Sequence, residues 1–257
     1  MVFSLGFGVK RSAINSSLKR SYLMKYLILF FLMSWQISIA QTFSYPKLNK
    51  QEKDLQSLIP KNWKIIDTAF GDLNNDKTED LALVLEYYLP ITENRAYGDN
   101  DTELIKEFQR PRILAIYFKK LDKYTFVIQN NNFILRSEEG GTMGDPFKNI
   151  NIANHNLYLA FEGGSNWRWK LNYEFKFQNN DWNLISANNM YYNSDSGEMT
   201  EKKYNFIERK VYLTTGNLFN RAAANQVGEE IIYFSGLRTF STFKKPWTWE
   251  ITKDNFL

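Results

Sequence analysis

Leu171-Asn172-Tyr173-Glu174-Phe175-Lys176-Phe177 alternates large apolar and polar residues without a break. That period of two belongs to a strand with one face buried and the other in water. Working outward, Leu157, Leu159 and Phe161 repeat the pattern upstream, and Asn179-Asn180-Asp181 is a tight-turn signal leading into an aromatic-flanked run over 182–192. Residues 157–192 therefore read as a three-stranded antiparallel meander. Similar runs bounded by Asn, Asp and Gly predict strands over 64–70, 81–89, 112–118, 124–129, 133–136, 203–207, 210–214, 229–234 and 247–251.

Helical signals are few. Leu55, Leu58 and Ile59 sit at helical spacing before Pro60 and predict a short helix over 51–59; 102–108 reads as a helical turn or two, and 218–226, with three alanines, as another short helix. Residues 91–101 read as a polar connection and 138–147 as a loop with three glycines and a proline. The expectation is an all-β fold of antiparallel sheets, arranged as a sandwich or as partial propeller-like blades, with one or two short helices.

The chain has 257 residues, 44% hydrophobic and 23% charged, which places it among globular proteins and away from disorder. Its formal charge of +4 is unevenly placed. Five of the 32 basic residues (Lys10, Arg11, Lys19, Arg20 and Lys25) precede residue 41, and no acid accompanies them, so the remainder carries 27 basic against 28 acidic groups, a net −1. A near-neutral body removes the electrostatic case for nucleic acid.

The basic start reads as a secretory signal: Met24-Lys25, an apolar run over 26–35, then Ser38-Ile39-Ala40 with small residues at the −3 and −1 positions of a cleavage site. The expectation is removal of residues 1–40, with Met24 as an alternative start, leaving a single secreted or periplasmic β-rich domain over 41–257. An uncleaved anchor is the other reading, but the apolar run is about half of the roughly 20 residues a spanning helix needs, so no membrane span is expected in the mature chain. There is no cysteine, which excludes disulfides, thiol catalysis, thiolate metal sites and a lipid-modified cysteine.

One stretch carries specific chemistry. In Gly71-Asp72-Leu73-Asn74-Asn75-Asp76-Lys77-Thr78-Glu79-Asp80, counting from Asp72, oxygen-bearing side chains fall at positions 1, 3, 5 and 9 (Asp72, Asn74, Asp76, Asp80), and Thr78 at position 7 offers its main-chain carbonyl. Calcium takes about six to eight oxygens, and alternating ligands in a curled loop supply most of them. An EF-hand is excluded because position 12 is Leu83 and the run Leu81-Ala82-Leu83-Val84-Leu85 reads as a buried strand. The same residue types also build a plain Asn/Asp-rich hairpin turn with no ion.

Residues 65–88 resemble the FG-GAP or VCBS-type repeat, whose signature runs Gly-Asp-Leu/Val-Asn-Gly-Asp-Gly-x-x-Asp-Leu before a hydrophobic strand. The resemblance implies a calcium loop between adjacent strands of a secreted or cell-surface protein, with Asp72, Asn74, Asp76 and Asp80 as ligands and Thr78 contributing through its main chain. Lys77 stands where the family usually has Gly, and no Gly-Ala-Pro segment follows the second strand. A cation beside the ion lowers the expected affinity.

Weaker constellations complete the reading. His155, the sole histidine, lies between Asn154 and Asn156 and reads as a solvated turn residue. Gly140-Gly141-Thr142-Met143-Gly144-Asp145-Pro146 reads as a shaped turn rather than a phosphate cradle, since no helix or Lys-Ser/Thr pair follows. Trp167 and Trp169, next to Gly163-Gly164, are candidates for stacking on sugar rings or on a protein partner. The expected function is that of a non-enzymatic, calcium-stabilised binding protein with a cell-surface carbohydrate or protein partner. The alternatives are a polysaccharide hydrolase using carboxylates among Glu138, Glu139, Asp145 and Glu162, with Glu139 and Asp145 foremost, and a subunit of a larger envelope assembly.

Overall fold

Alternating and unbroken apolar runs both find partners here, and the result is nearly all β. The computed structural model describes residues 43–96, 104–220, 226–253 and 255–257. In chain order the strands are β1 (Gln51–Glu52), β2 (Trp63–Gly71), β3 (Asp80–Tyr87), β4 (Ile91–Ala96), β5 (Leu104–Gln109), β6 (Arg112–Lys120), β7 (Lys123–Asn130) and β8 (Phe147–Ala153). There follow β9 (Asn156–Gly164), β10 (Trp167–Gln178), β11 (Asp181–Asn193), β12 (Glu198–Asn205), β13 (Lys210–Asn217), β14 (Gln226–Ile231), β15 (Glu250–Thr252) and β16 (Asn255–Phe256). The signal segment over 1–40 lies outside the described residues, and no described helix is long and apolar enough to cross a membrane.

The predicted meander over 157–192 is β9, β10 and β11, the centre of a seven-stranded antiparallel sheet ordered β14-β13-β12-β11-β10-β9-β8. Leu171, Tyr173 and Phe175 are buried on one face, as the alternation requires, while Asn172 and Lys176 face water. A five-stranded antiparallel sheet, ordered β1-β7-β6-β3-β2, provides the second layer. Its β3 is flanked on both sides, by β2 and β6, and Leu81 to Leu85 are fully buried, which accounts for an unbroken apolar run instead of an alternating one.

The two large sheets share one core, so the sandwich is the arrangement that forms. Ala82, Val84, Leu114 and Ile116 from the five-stranded sheet belong to one cluster with Leu159, Phe161, Tyr173 and Phe175 from the other. The sheets meet where β2 approaches β8. Asp67, at a bulge in β2, accepts a hydrogen bond from Ile150 N at 2.9 Å. At Gly71 an added Cβ would fall 2.6 Å from Ile152 Cγ2, so the close approach requires glycine.

Several expectations are corrected. The helix over 51–59 is replaced by β1, which pairs with the free edge of β7, and a single 3-10 turn at Gln56–Leu58, because strand pairing satisfies backbone groups that a short exposed helix leaves open. The expected polar connection and helical turn over 91–108 form the hairpin β4–β5 among their described residues. The run 133–136 joins no sheet. Asn130 Oδ1 accepts from Asn132 N and Phe133 N and turns the chain inward. Phe133 then packs against Phe161, Tyr173, Phe175, Phe240 and Phe243. The expected loop over 138–147 is followed at once by β8, an edge strand whose alternation, Asn149-Ile150-Asn151-Ile152, spans only four residues. The expected helix over 218–226 lies partly outside the described residues, and Gln226 opens β14.

Candidate functional site

Strand β2 leaves the sheet at Gly71 and β3 re-enters it at Asp80, so the acidic loop is the connection of a β-hairpin. Leu73 points down and is buried, while Asn75, Asp76 and Lys77 are exposed. Two left-handed residues curl the loop, Asn75 at φ 63° and Lys77 at φ 68°. Left-handed backbone suits Asn but is strained for Lys.

The side-chain oxygens turn inward. The N–H of Asp76 donates to Asp72 Oδ1 at 3.1 Å and to Asn74 Oδ1 at 3.0 Å, which sets those two oxygens side by side. Asp72 Oδ2 accepts from Lys77 N at 2.9 Å, and Asp76 Oδ1 from Thr78 N at 2.8 Å. Beneath them Asp80 is fully buried, with Oδ2 accepting from Leu73 N and Oδ1 from Lys119 N, each at 2.9 Å. Asp80 thereby ties its own loop to the end of β6.

Burial pushes the Asp80 carboxyl above its ordinary value; the N–H groups of Leu73 and Lys119 work against that rise, and the nearby charges of Asp76 and Asp72 add to it. For Asp76 burial also acts upward, but hydrogen bonds from Thr78 and Asn74 and the charge of Lys120 bring it below the usual carboxylate value. The donor set is all oxygen, the donor type that a hard cation takes. Among the described residues no group of three or more His, Cys, Asp and Glu side chains is drawn together as metal ligands, the loop's oxygens being turned onto its own N–H groups.

His155 is not merely solvated. Its Nδ1 lies 2.9 Å from the carbonyl oxygen of Asp72 and 3.5 Å from Asp72 Oδ2, so the β8–β9 turn of one sheet reaches the acidic loop of the other. Both Asn154 and His155 adopt positive φ, which tightens that turn and aims the ring. The residue type was visible in the sequence; the contact spans 83 positions and was not.

The two tryptophans differ in exposure and contacts. Trp167 is 52% exposed at the end of β10. Trp169 is half-buried, lies against Gly163 and meets Trp247 edge-on at 4.7 Å between centroids. Trp247 Nε1 donates to Tyr191 OH at 2.9 Å, and Tyr191 is the register partner of Trp169. Trp169, Tyr191 and Trp247 therefore form one aromatic group, of which sequence reasoning named a single member. The unusual feature of Trp247, a positive φ of 64°, has no sequence signal.

The loop carboxylates are held by separate partners. Glu139 accepts from Lys245 Nζ at 2.9 Å and from Arg136 N. Asp145 pairs with the buried Arg112, which also binds Glu86 and the carbonyl of Leu135. Glu162 faces Lys170 and Tyr192. The Gly140–Gly144 segment packs on the end of β9, where Gly164 N donates to Gly140 O at 2.8 Å and Thr142 Oγ1 donates to Gly164 O. No family model, curated protein or solved structure matches this chain.

Proposed function

We propose that the chain is a secreted or periplasmic, non-enzymatic binding protein in which the Asp72–Asp80 loop takes up calcium as a structural clamp, in the manner of an FG-GAP or VCBS-type repeat. The reading rests on one observation: the oxygens of Asp72 and Asn74 are brought side by side over Asp80, whose proton affinity is raised by burial and, to a lesser degree, by its acidic neighbours. Asp72, Asn74, Asp76 and Asp80, with the Thr78 carbonyl, would hold the ion. The ion supplies charge neutralisation there and performs no chemistry. Because Asp80 reaches the end of β6 and Asp72 reaches His155, a filled loop would stiffen its own hairpin, the end of β6 and the β8–β9 turn together.

The partner surface is placed at Trp167, exposed beside the Trp169–Tyr191–Trp247 group, with a carbohydrate or a protein as ligand. The commitment of Glu139 and Asp145 to Lys245 and Arg112 favours binding over polysaccharide hydrolysis. Calorimetric melting in excess calcium and in chelator tests the clamp: a calcium-dependent rise in Tm that disappears in Asp76→Ala is expected, and equal melting in both conditions refutes it. Loss of glycan or cell-wall binding in Trp167→Ala is expected at the second surface, and unchanged binding to every polymer tested removes it.

A further inference from the structure

Where the β15–β16 hairpin lies over β12, β13 and β14, the sheet carries an open pocket of about 190 Å³, lined by Lys202, Val211, Leu213, Glu230, Thr252 and Asn255. That is several times the roughly 30 Å³ that one water takes up in liquid. Strand register explains the arrangement. Lys202 pairs with Leu213, Tyr204 with Val211, and Val211 with Glu230, so these side chains share one face, and Thr252 and Asn255 close over it from the β15–β16 hairpin.

Two charges in this pocket have no opposite partner among the described residues, whereas several other lysines of the sheet do. Lys203 pairs with Glu201, Lys210 with Glu229 and Lys170 with Glu162. Lys202 Nζ instead donates only to the Asn255 amide oxygen, at 2.7 Å, and among the described residues no carboxylate lies within ion-pair distance of it. Glu230 has no basic partner among the described residues either, although it is near enough to the buried Tyr204 hydroxyl to perturb it. Asn255 Oδ1 accepts from both Lys202 Nζ and Tyr204 OH. An ammonium only donates, so this fixes the amide orientation and leaves Asn255 Nδ2 as a donor with no partner among the described residues.

One ammonium, one carboxylate and one amide donor thus line a small cavity with an aliphatic floor. Lys202 and Glu230 stand two strand spacings apart, about 9.5 Å across the sheet, and are also offset by two residues along it, since Lys202 is level with Gly228, so a single ion does not satisfy both. We propose that this cavity binds a dipeptide-sized zwitterion, its carboxylate on Lys202, its ammonium on Glu230, its amide carbonyl on Asn255 Nδ2 and an aliphatic side chain on Val211 and Leu213. No residue of the acidic loop and neither Trp167 nor Trp169 lines the site.

The probe is the dipeptide Gly-Leu, titrated into the purified chain by calorimetry, beside N-acetyl-Gly-Leu, which lacks the ammonium, and Gly-Leu amide, which lacks the carboxylate. Gly-Leu is expected to bind, and each blocked form to bind about tenfold more weakly, as loss of a charged hydrogen bond implies. Lys202→Met is expected to weaken Gly-Leu about tenfold while leaving Gly-Leu amide unchanged, and Glu230→Gln to weaken Gly-Leu while leaving N-acetyl-Gly-Leu unchanged. Glu230 is exposed, so its variant tests the site even where Lys202→Met disturbs folding. No binding of Gly-Leu up to about 10 mM, far weaker than a formed pocket requires, overturns the proposal. Equal binding of the blocked forms, or of the Glu230→Gln variant, overturns it as well.

Discussion

His155 Nδ1 sits 2.9 Å from the carbonyl oxygen of Asp72, so the β8–β9 turn of the seven-stranded sheet touches the acidic loop of the five-stranded one. Side-chain contact at this point supplements the backbone junction of β2 with β8, where Ile150 N donates to Asp67. The loop is therefore part of how the two layers are joined.

Replacing that histidine tests the contact. His155→Ala removes one partly exposed hydrogen bond and is expected to lower stability by about 0.5–1.5 kcal/mol, read as a shift in urea midpoint at unchanged slope. An unchanged midpoint would show the contact to be energetically silent.

Asp80 offers a larger effect. Its two oxygens satisfy the N–H groups of Leu73 and Lys119, so Asp80→Ala leaves both without that acceptor and is expected to cost about 1–3 kcal/mol near neutral pH. The pH dependence has a definite sign. Burial raises the folded-state pKa above 3.8, so the folded protein binds more protons in that interval. Stability contributed by protonated Asp80 is fully present below 3.8 and is lost as pH rises through the higher folded value. Comparison of chemical denaturation of wild type and Asp80→Ala across acidic pH reads this as a steeper fall in the wild type; parallel curves would contradict it.

Lys77 occupies a left-handed conformation at φ 68°. Lys77→Gly relieves a strain of about 1–2 kcal/mol, partly offset by the greater freedom of glycine in the unfolded chain. A net gain of about 0.5–1 kcal/mol is expected, together with tighter calcium binding because a cation leaves the loop. Thermal melting with and without calcium measures both, and a lower Tm for the variant would refute the strain.

Gly163 is pressed beneath the aromatic group. An added Cβ would fall 2.4 Å from Trp169 Cζ2 and 2.9 Å from the Gly140 Cα, so neither the ring nor the backbone of the Gly140–Gly144 turn can stay in place. Gly163→Ala is expected to cost about 1–3 kcal/mol through overpacking and to alter tryptophan fluorescence as Trp169 shifts against Trp247. A variant with native fluorescence and stability would show that the turn yields freely.

Much of this architecture is written in local pattern. Period-two alternation in β10 and the continuous apolar run of β3 place one strand with a wet face and one in the middle of a sheet, because a side chain's surroundings alternate along a strand only when its two faces differ. The curled acidic loop was equally legible, since its oxygens recur at fixed short spacing within one hairpin. Helix signals misled where pairing partners stood elsewhere in the chain: residues 51–52 joined β7, and 104–109 joined β4, because exposed backbone groups are satisfied by whatever edge the fold presents. Phe133 had the composition of a strand residue and became instead the centre of the core.

Contacts over long separations could not be read in advance. His155 reaches Asp72, Lys119 caps Asp80, Trp247 completes the group around Trp169, and Lys202 faces Asn255. Local pattern reports which face of an element avoids water, and that preference acts residue by residue. Which two faces meet, and which charges are left without partners when they do, depends on the register and closure of whole sheets, a property of the folded chain as a unit.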